Sequence, residues 1–279
     1  MFFIFLYAAK VICKRKQGGV QKVILSHLSK KGLCNLNKRY GWIIVTYIAM
    51  QLSGAIGLPL LIKTGWYNQY EREAKLQIAS GHWAIISFLT ALLIILWLLR
   101  KDRGQISTNG QKSNAATTVV WMITGVFLAF FAQTIAGMIE MKVFGIEPGS
   151  ENTEQLIEIA AATPWFILVT SVLAPVLEEI VFRKILFGTL YKRYNFLVAA
   201  IISSLIFAAV HLDFSHLLIY MSMGIVFAFL YVRTQRIIVP ITAHVMMNTF
   251  VVLVNLVFKD DIERMMQKAE KLQAFIGGF

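Results

Sequence analysis

Seven separate runs of mostly apolar residues divide this chain, at about 41–62, 82–99, 115–139, 164–190, 195–212, 215–232 and 237–258. Each is close to the roughly 20 residues an α-helix needs to cross the apolar core of a bilayer. Membrane-spanning strands would be about half as long and would alternate apolar with polar residues. A backbone inside hydrocarbon must satisfy its own hydrogen bonds, and unbroken runs of this length do so as helices. The expected fold is therefore an all-α polytopic membrane protein with about seven transmembrane helices. Composition closes off the alternatives. Of 279 residues 57% are apolar and 15% charged, with a mean hydropathy of +0.66. An average soluble domain carries about 25% charged residues, so an ordinary soluble enzyme, a coiled coil and a disordered chain are all excluded. There is no internal repeat and no separate soluble domain.

The net charge of +12 sits mostly at one end. Residues 1–40 hold Lys10, Lys14, Arg15, Lys16, Lys22, Lys30, Lys31, Lys38 and Arg39 and no acidic residue. Beside a first membrane span this reads as cytoplasmic anchoring and contact with anionic lipid, not as nucleic-acid binding. Cys13 and Cys34 lie in the same segment and make neither a disulfide framework nor a metal spacing. The opening apolar run, 1–13, is too short to span and fits an interfacial segment or an extension from an upstream start.

The linkers carry a topology. Lys38 and Arg39, then Arg100, Lys101, Arg103 and Lys112, then Lys192 and Arg193, then Arg233 and Arg236 fall on alternate linkers, hence on one side. The opposite linkers are mixed or acidic, with Glu147, Glu151, Glu154 and Glu158 between the third and fourth runs. Positive residues favour the cytoplasm. The expectation is an integral protein of a bacterial plasma membrane, N-terminus cytoplasmic and C-terminus outside. Residues 41–150 form N-terminal transmembrane helices, and 259–279 an amphipathic tail ending at Gly277-Gly278.

Charges where lipid should be are the informative feature. The segment VLAPVLEEIVFR places Glu178, Glu179 and Arg183 inside an apolar run. Ionised groups at such depth are costly and usually serve function. On an α-helix Glu179 and Arg183 share a face and can pair, while Glu178 is rotated by about 100°. One carboxylate is tied down and its neighbour is free. A structural salt bridge with Arg183 snorkelling to the interface would need only one glutamate. Two further pairs at i and i+4 follow, Phe207 with His211 and His244 with Asn248. His216, beside Asp213, reads as interfacial. Three chemistries suit this set. Glu178 could activate a water for hydrolysis while His244 and Asn248 stabilise an oxyanion. Glu178, His211 and His244 could hold Zn²⁺, although HExxH is absent. Glu and His could relay protons in a transporter, but that needs a continuous polar path, and Gln51 and Gln133 are isolated. Gly54 and Gly57 read as helix packing.

The ordered set Glu178-Glu179-xxx-Arg183, Phe207-xxx-His211 and His244-xxx-Asn248 resembles the EExxxR, FxxxH and HxxxN motifs of the CPBP family of intramembrane proteases (CAAX proteases and bacteriocin-processing enzymes, or Abi family). The resemblance covers about 160–255 and marks 160–258 as a protease core. It implies a polar cavity within the membrane and peptide-bond hydrolysis by glutamate-activated water. By position, Glu178 is the general base, Glu179 and Arg183 its buttress and Phe207 a supporting residue. His211 helps to bind the water, and His244 with Asn248 stabilises the oxyanion. No cofactor is needed in this reading. A metal-dependent version would use a divalent ion such as zinc on Glu178, His211 and His244. Asn is a poor zinc ligand and suits an oxyanion donor. The expected partner is a membrane-associated peptide or protein substrate, such as a pheromone precursor or bacteriocin, within the lipid bilayer and with no nucleic acid. The alternative is a non-catalytic regulatory or immunity protein on the same scaffold. Helix arithmetic adds a constraint. At about 1.5 Å per residue, His211 lies about 24 Å from the inner end of its span and His244 about 10 Å from that of its own. Straight helices starting level would keep them apart, so Pro240 is expected to break the seventh span, with tilt contributing.

Overall fold

The computed structural model describes residues 38–100, 111–147 and 149–258, together with Arg264 and Lys268. The basic segment up to residue 37, both cysteines, Lys101, Arg103 and nearly all of the expected tail lie outside the described residues. The described chain forms α1 (Lys38–Lys63), α2 (Arg72–Leu99), α3 (Ala115–Phe144), α4 (Glu151–Ala162), α5 (166–191), α6 (Phe196–Val210), α7 (Leu217–Thr234) and α8 (Ile238–Val257). No strand occurs among the described residues. All seven apolar runs are helical. Helices α1, α2, α3, α7 and α8 are long and apolar enough to cross a membrane, and the protein is an all-α polytopic membrane protein.

The other two runs depart from a simple span. Helix α6 has 15 residues, about 22 Å at 1.5 Å per residue. It packs along α7, where a Cβ on Gly224 would meet Ser204 at 2.6 Å. Small residues let the two backbones approach this closely. Run α5 alternates between α and π geometry: α over Phe166–Leu168, π over Val169–Leu173, α over Ala174–Glu178, π over Glu179–Phe187 and α over Gly188–Tyr191. Pro175 accounts for the first π stretch. It has no N–H, and its ring crowds the carbonyl one turn back. The chain widens there, with Ala174 N–H reaching Val169 O.

Caps set the helix starts. Asn114, Ser150 and Asn195 each accept from the backbone N–H three residues on. Gly145, at φ +67°, ends α3. Helix α4 corrects the reading of 151–162 as part of an acidic linker. Ser150 caps it, Glu151 and Glu154 sit in its first turn, and Ile157 and Ala160 are buried. Pro240 does not break α8. It lies in the first turn, where a missing N–H costs nothing, and the helix runs on to Val257.

Helices α1 and α2 form a hairpin whose contact is set by Gly57, where a Cβ would run into the Trp83 indole. Trp83 Nε1 also donates to Ser53 Oγ at 3.1 Å. Helix α3 packs on α7 and α8, and α5 lies among α1, α2, α6, α7 and α8. The two ends differ in charge. At one, Arg236 Nε donates to Ser113 O and Ser113 N to Thr234 O. At the other, Glu140 meets His216, Ser150 meets Asp213 and Gln77 meets Glu158.

Candidate active site

Glu178 closes the central α turn of α5 and Glu179 opens its long π stretch. The motif therefore lies on an irregular helix, a form frequent at functional sites, rather than on the regular one assumed from spacing. The two carboxylates have different surroundings. Glu179 is fully buried, with Oε2 3.2 Å from Arg183 Nε and Oε1 3.0 Å from His244 Nδ1. Glu178 keeps 13% of its side chain exposed, and its nearest ionic partner is His244 Nε2 at 3.8 Å.

Arg183 does not snorkel; its side chain is 1% exposed. The contact with Glu179 is an ion pair without hydrogen-bond alignment, and no guanidinium nitrogen has a hydrogen-bond partner among the described residues. Aromatic faces surround the charge instead. The guanidinium carbon lies 4.3 Å from the Phe207 ring centroid and 5.4 Å from that of Phe227. Phe207 is thus a wall of the charged centre as well as the start of a motif.

The histidine tautomers follow from their partners. A carboxylate and a carbonyl only accept. His244 therefore carries a hydrogen on Nδ1, toward Glu179, and its ring stacks on Phe227 at 4.8 Å. His211 carries a hydrogen on Nδ1, toward Phe207 O at 2.9 Å. In its neutral form His211 Nε2 is then a bare acceptor. The two imidazoles are joined through neighbours. Phe207 is 4.7 Å from His211 and 6.2 Å from His244, ring to ring, and Glu178 is within electrostatic reach of His211. Phe207, one turn before His211 on α6, thus reaches both imidazoles, so the level, parallel helices assumed in the helix arithmetic do not hold.

Asn248 meets the other π stretch. Its Nδ2 donates to Thr170 O at 3.2 Å. The π register assigns that carbonyl to residue 175, a proline, so Asn248 supplies the missing donor. One amide N–H of Asn248 remains for another acceptor.

Two tyrosines that sequence reasoning missed frame the site. Tyr47 of α1 is buried with its ring edge-on to Phe182 at 5.7 Å. Its hydroxyl accepts from Gln51 at 3.4 Å and lies within electrostatic reach of Glu178 and Arg183. Gln51 is not isolated, and the i, i+4 spacing of Tyr47 and Gln51 was the available signal. Tyr220 of α7 stacks on His211 at 4.2 Å. His216 belongs to a separate cluster with Glu140 and Asp213.

Among the described residues no three His, Cys, Asp or Glu side chains are grouped to hold a metal ion. Nδ1 of His244 is bonded to Glu179 and Nδ1 of His211 to Phe207 O, which leaves Nε2 of each ring. Glu178, His211 and His244 are not so grouped.

The chain is similar to known proteins over most of its length. Residues 160–250 match the family model described as "Type II CAAX prenyl endopeptidase Rce1-like". The chain is 46% identical over 244 residues to the Bacillus subtilis (strain 168) protein named "Putative membrane peptidase YdiL", covering 87% of this chain and 99% of that one. It is 32% identical over 234 residues to "Membrane-embedded CAAX protease MroQ" of Staphylococcus aureus (strain USA300), covering 81% and 92%. No solved structure matches.

Proposed function

The chain belongs to the Rce1-like CAAX endopeptidase family and is an integral membrane peptidase, and from that premise we propose that it hydrolyses peptide bonds within the membrane by a water activated on Glu178. The observation that carries this reading is the unequal treatment of adjacent carboxylates. Glu179 is spent on Arg183 and His244, whereas Glu178 is partly exposed and has no ligand closer than 3.8 Å among its ionic partners.

The chemistry follows from the acceptors and donors. Glu178 and the bare Nε2 of His211 each accept one hydrogen of a water, which leaves a water lone pair for the substrate carbonyl carbon. As the C–O bond forms, Glu178 takes the proton. The free amide N–H of Asn248 donates to the oxyanion, and His244 adds Nε2–H whenever its ring is the imidazolium. Glu178 then returns the proton to the leaving nitrogen as the C–N bond breaks. No metal enters this sequence. The substrate is a membrane-associated peptide or protein. Charge at the helix ends supports a bacterial plasma membrane protein with the N-terminus cytoplasmic and the C-terminus outside.

The test compares the peptides released from cells carrying wild type, Glu178→Gln, His211→Ala and His244→Ala at matched membrane levels. Loss of one common product in all three variants is expected. A product profile unchanged by all three would overturn hydrolysis and leave a regulatory protein on this scaffold.

A further inference from the structure

His211 sits at the C-terminal cap of α6, and the next residue, Leu212, turns the chain away at φ +59°. A ring at a helix end has few neighbours of its own helix to hold it. The Nδ1 bond to Phe207 O fixes one point of the ring and the Phe207 side chain meets it edge-on at 4.7 Å, so both of these contacts come from its own helix. The Tyr220 ring supplies the constraint from another helix, stacked at 4.2 Å between centroids and 29° between planes. Tyr220 is itself held from outside the motif helices. Asn152 Nδ2, in the first turn of α4, donates to the Tyr220 hydroxyl at 3.4 Å. The same end of α4 is anchored by Ser150, which caps the helix and donates to Asp213 Oδ2 at 2.7 Å. Two ties therefore run from the start of α4 to the segment that carries His211 and Tyr220.

We propose that Tyr220 is a positioning residue for His211, and that Asn152 on the amphipathic helix α4 holds Tyr220 in its stacked orientation. The inference rests on the hydrolytic reading above, since it needs His211 to act on the water. It extends the working apparatus to residues upstream of the matched family segment, which begins at 160. With Tyr220 in place, the His211 ring is held within electrostatic reach of Glu178. Without it, the ring turns about the Nδ1 bond and the two acceptors no longer grip one water.

The test uses the full-length enzyme in liposomes. The probe is a quenched-fluorescent peptide spanning the cleavage site of the product that Glu178→Gln cells fail to release. Tyr220→Leu is expected to lower kcat by about ten-fold to a hundred-fold, the scale of a misplaced catalytic group, with KM within about two-fold. Tyr220→Phe keeps the stack and is expected to stay within about three-fold of wild type, and Tyr220→Trp to rescue most of the leucine loss. Asn152→Ala, a partly exposed change that leaves the core intact, is expected to lower kcat by a few-fold. The decisive arm is the pair His211→Ala and His211→Ala/Tyr220→Leu. A residue acting through His211 adds nothing once His211 is gone, so the two should have equal residual activity. Additive losses, a loss confined to KM, or equal losses in Tyr220→Phe and Tyr220→Leu would each overturn the proposal. Full activity in His211→Ala would instead overturn the hydrolytic reading itself.

Discussion

His244 donates Nδ1–H to the Glu179 carboxylate over 3.0 Å. That bond, with the Arg183 pair on the other oxygen, makes Glu179 a structural carboxylate and leaves Glu178 as the chemical one. The two should fail differently. Glu178→Gln keeps the volume and breaks no close ion pair, so the melting temperature in detergent should hold while cleavage falls by about 10²–10⁴-fold. Glu179→Gln leaves a fully buried guanidinium without its counter-charge, a loss of about 3–5 kcal/mol. Little folded protein should then accumulate. Paired melting and cleavage assays separate the outcomes, and similar melting of both variants would refute the division of labour.

At the acidic end of the bundle, His216 bonds Glu140 Oε2 at 3.0 Å, while Glu140 Oε1 accepts from the N–H groups of Leu218 and Ile219 that open α7. Burial pulls the His216 pKa down. The bond to Glu140, the charge of Asp213 and the Gly149 carbonyl outweigh it and lift the value above the usual 6.5. The fold therefore prefers the protonated ring. Its contribution is complete below the unfolded value and is lost as pH rises through the raised folded value. Compared with wild type, His216→Gln should melt much lower at about pH 5.5 and differ little at about pH 8.5. An equal deficit at both pH values would show that the imidazole contributes through packing and not through charge.

The helical state of the seven apolar runs was legible because hydrocarbon leaves a chain one way to satisfy its backbone, and apolar length reports that directly. The motif spacing also pointed to residues that the fold does bring together: Glu178, Glu179, Arg183, Phe207, His211 and His244 form one connected cluster. Other features left weaker traces. Helix α4 hid among acidic residues, though Ser150 and the Ile157/Ala160 spacing mark it. Tyr47 and Tyr220 look like any aromatic residue of an apolar span, since their roles come from neighbours on other helices. The π stretches are a register effect. Only Pro175 hints at one of them, and it also explains why Asn248 is turned toward Thr170.

The α1–α2 contact gives a stability prediction away from the site. A Cβ at Gly57 would overlap the Trp83 ring, so Gly57→Ala should cost about 1–3 kcal/mol through overpacking. Trp83→Leu removes the obstacle while losing indole contacts and the bond to Ser53. The two changes should therefore be strongly non-additive, with the double variant more stable than the sum of the singles implies. Additive melting shifts would mean that the helices separate freely and that Gly57 sets no distance between them.

Metal removal tests the chemistry from another side. Zinc on Glu178, His211 and His244 would need His244 to offer a nitrogen lone pair and His211 to stand beside it. Yet Nδ1 of each imidazole is bonded to a protein acceptor, which leaves only Nε2 for such a role, and the three side chains are not grouped to hold an ion. Site-bound zinc enzymes lose activity on chelation and regain it when the ion returns. Here, prolonged treatment with a strong chelator should leave the cleavage rate within about two-fold of the untreated enzyme. Activity that disappears and returns with added zinc, but not with calcium, would show that the site rearranges around an ion and that the water is activated on a metal instead of on Glu178 alone.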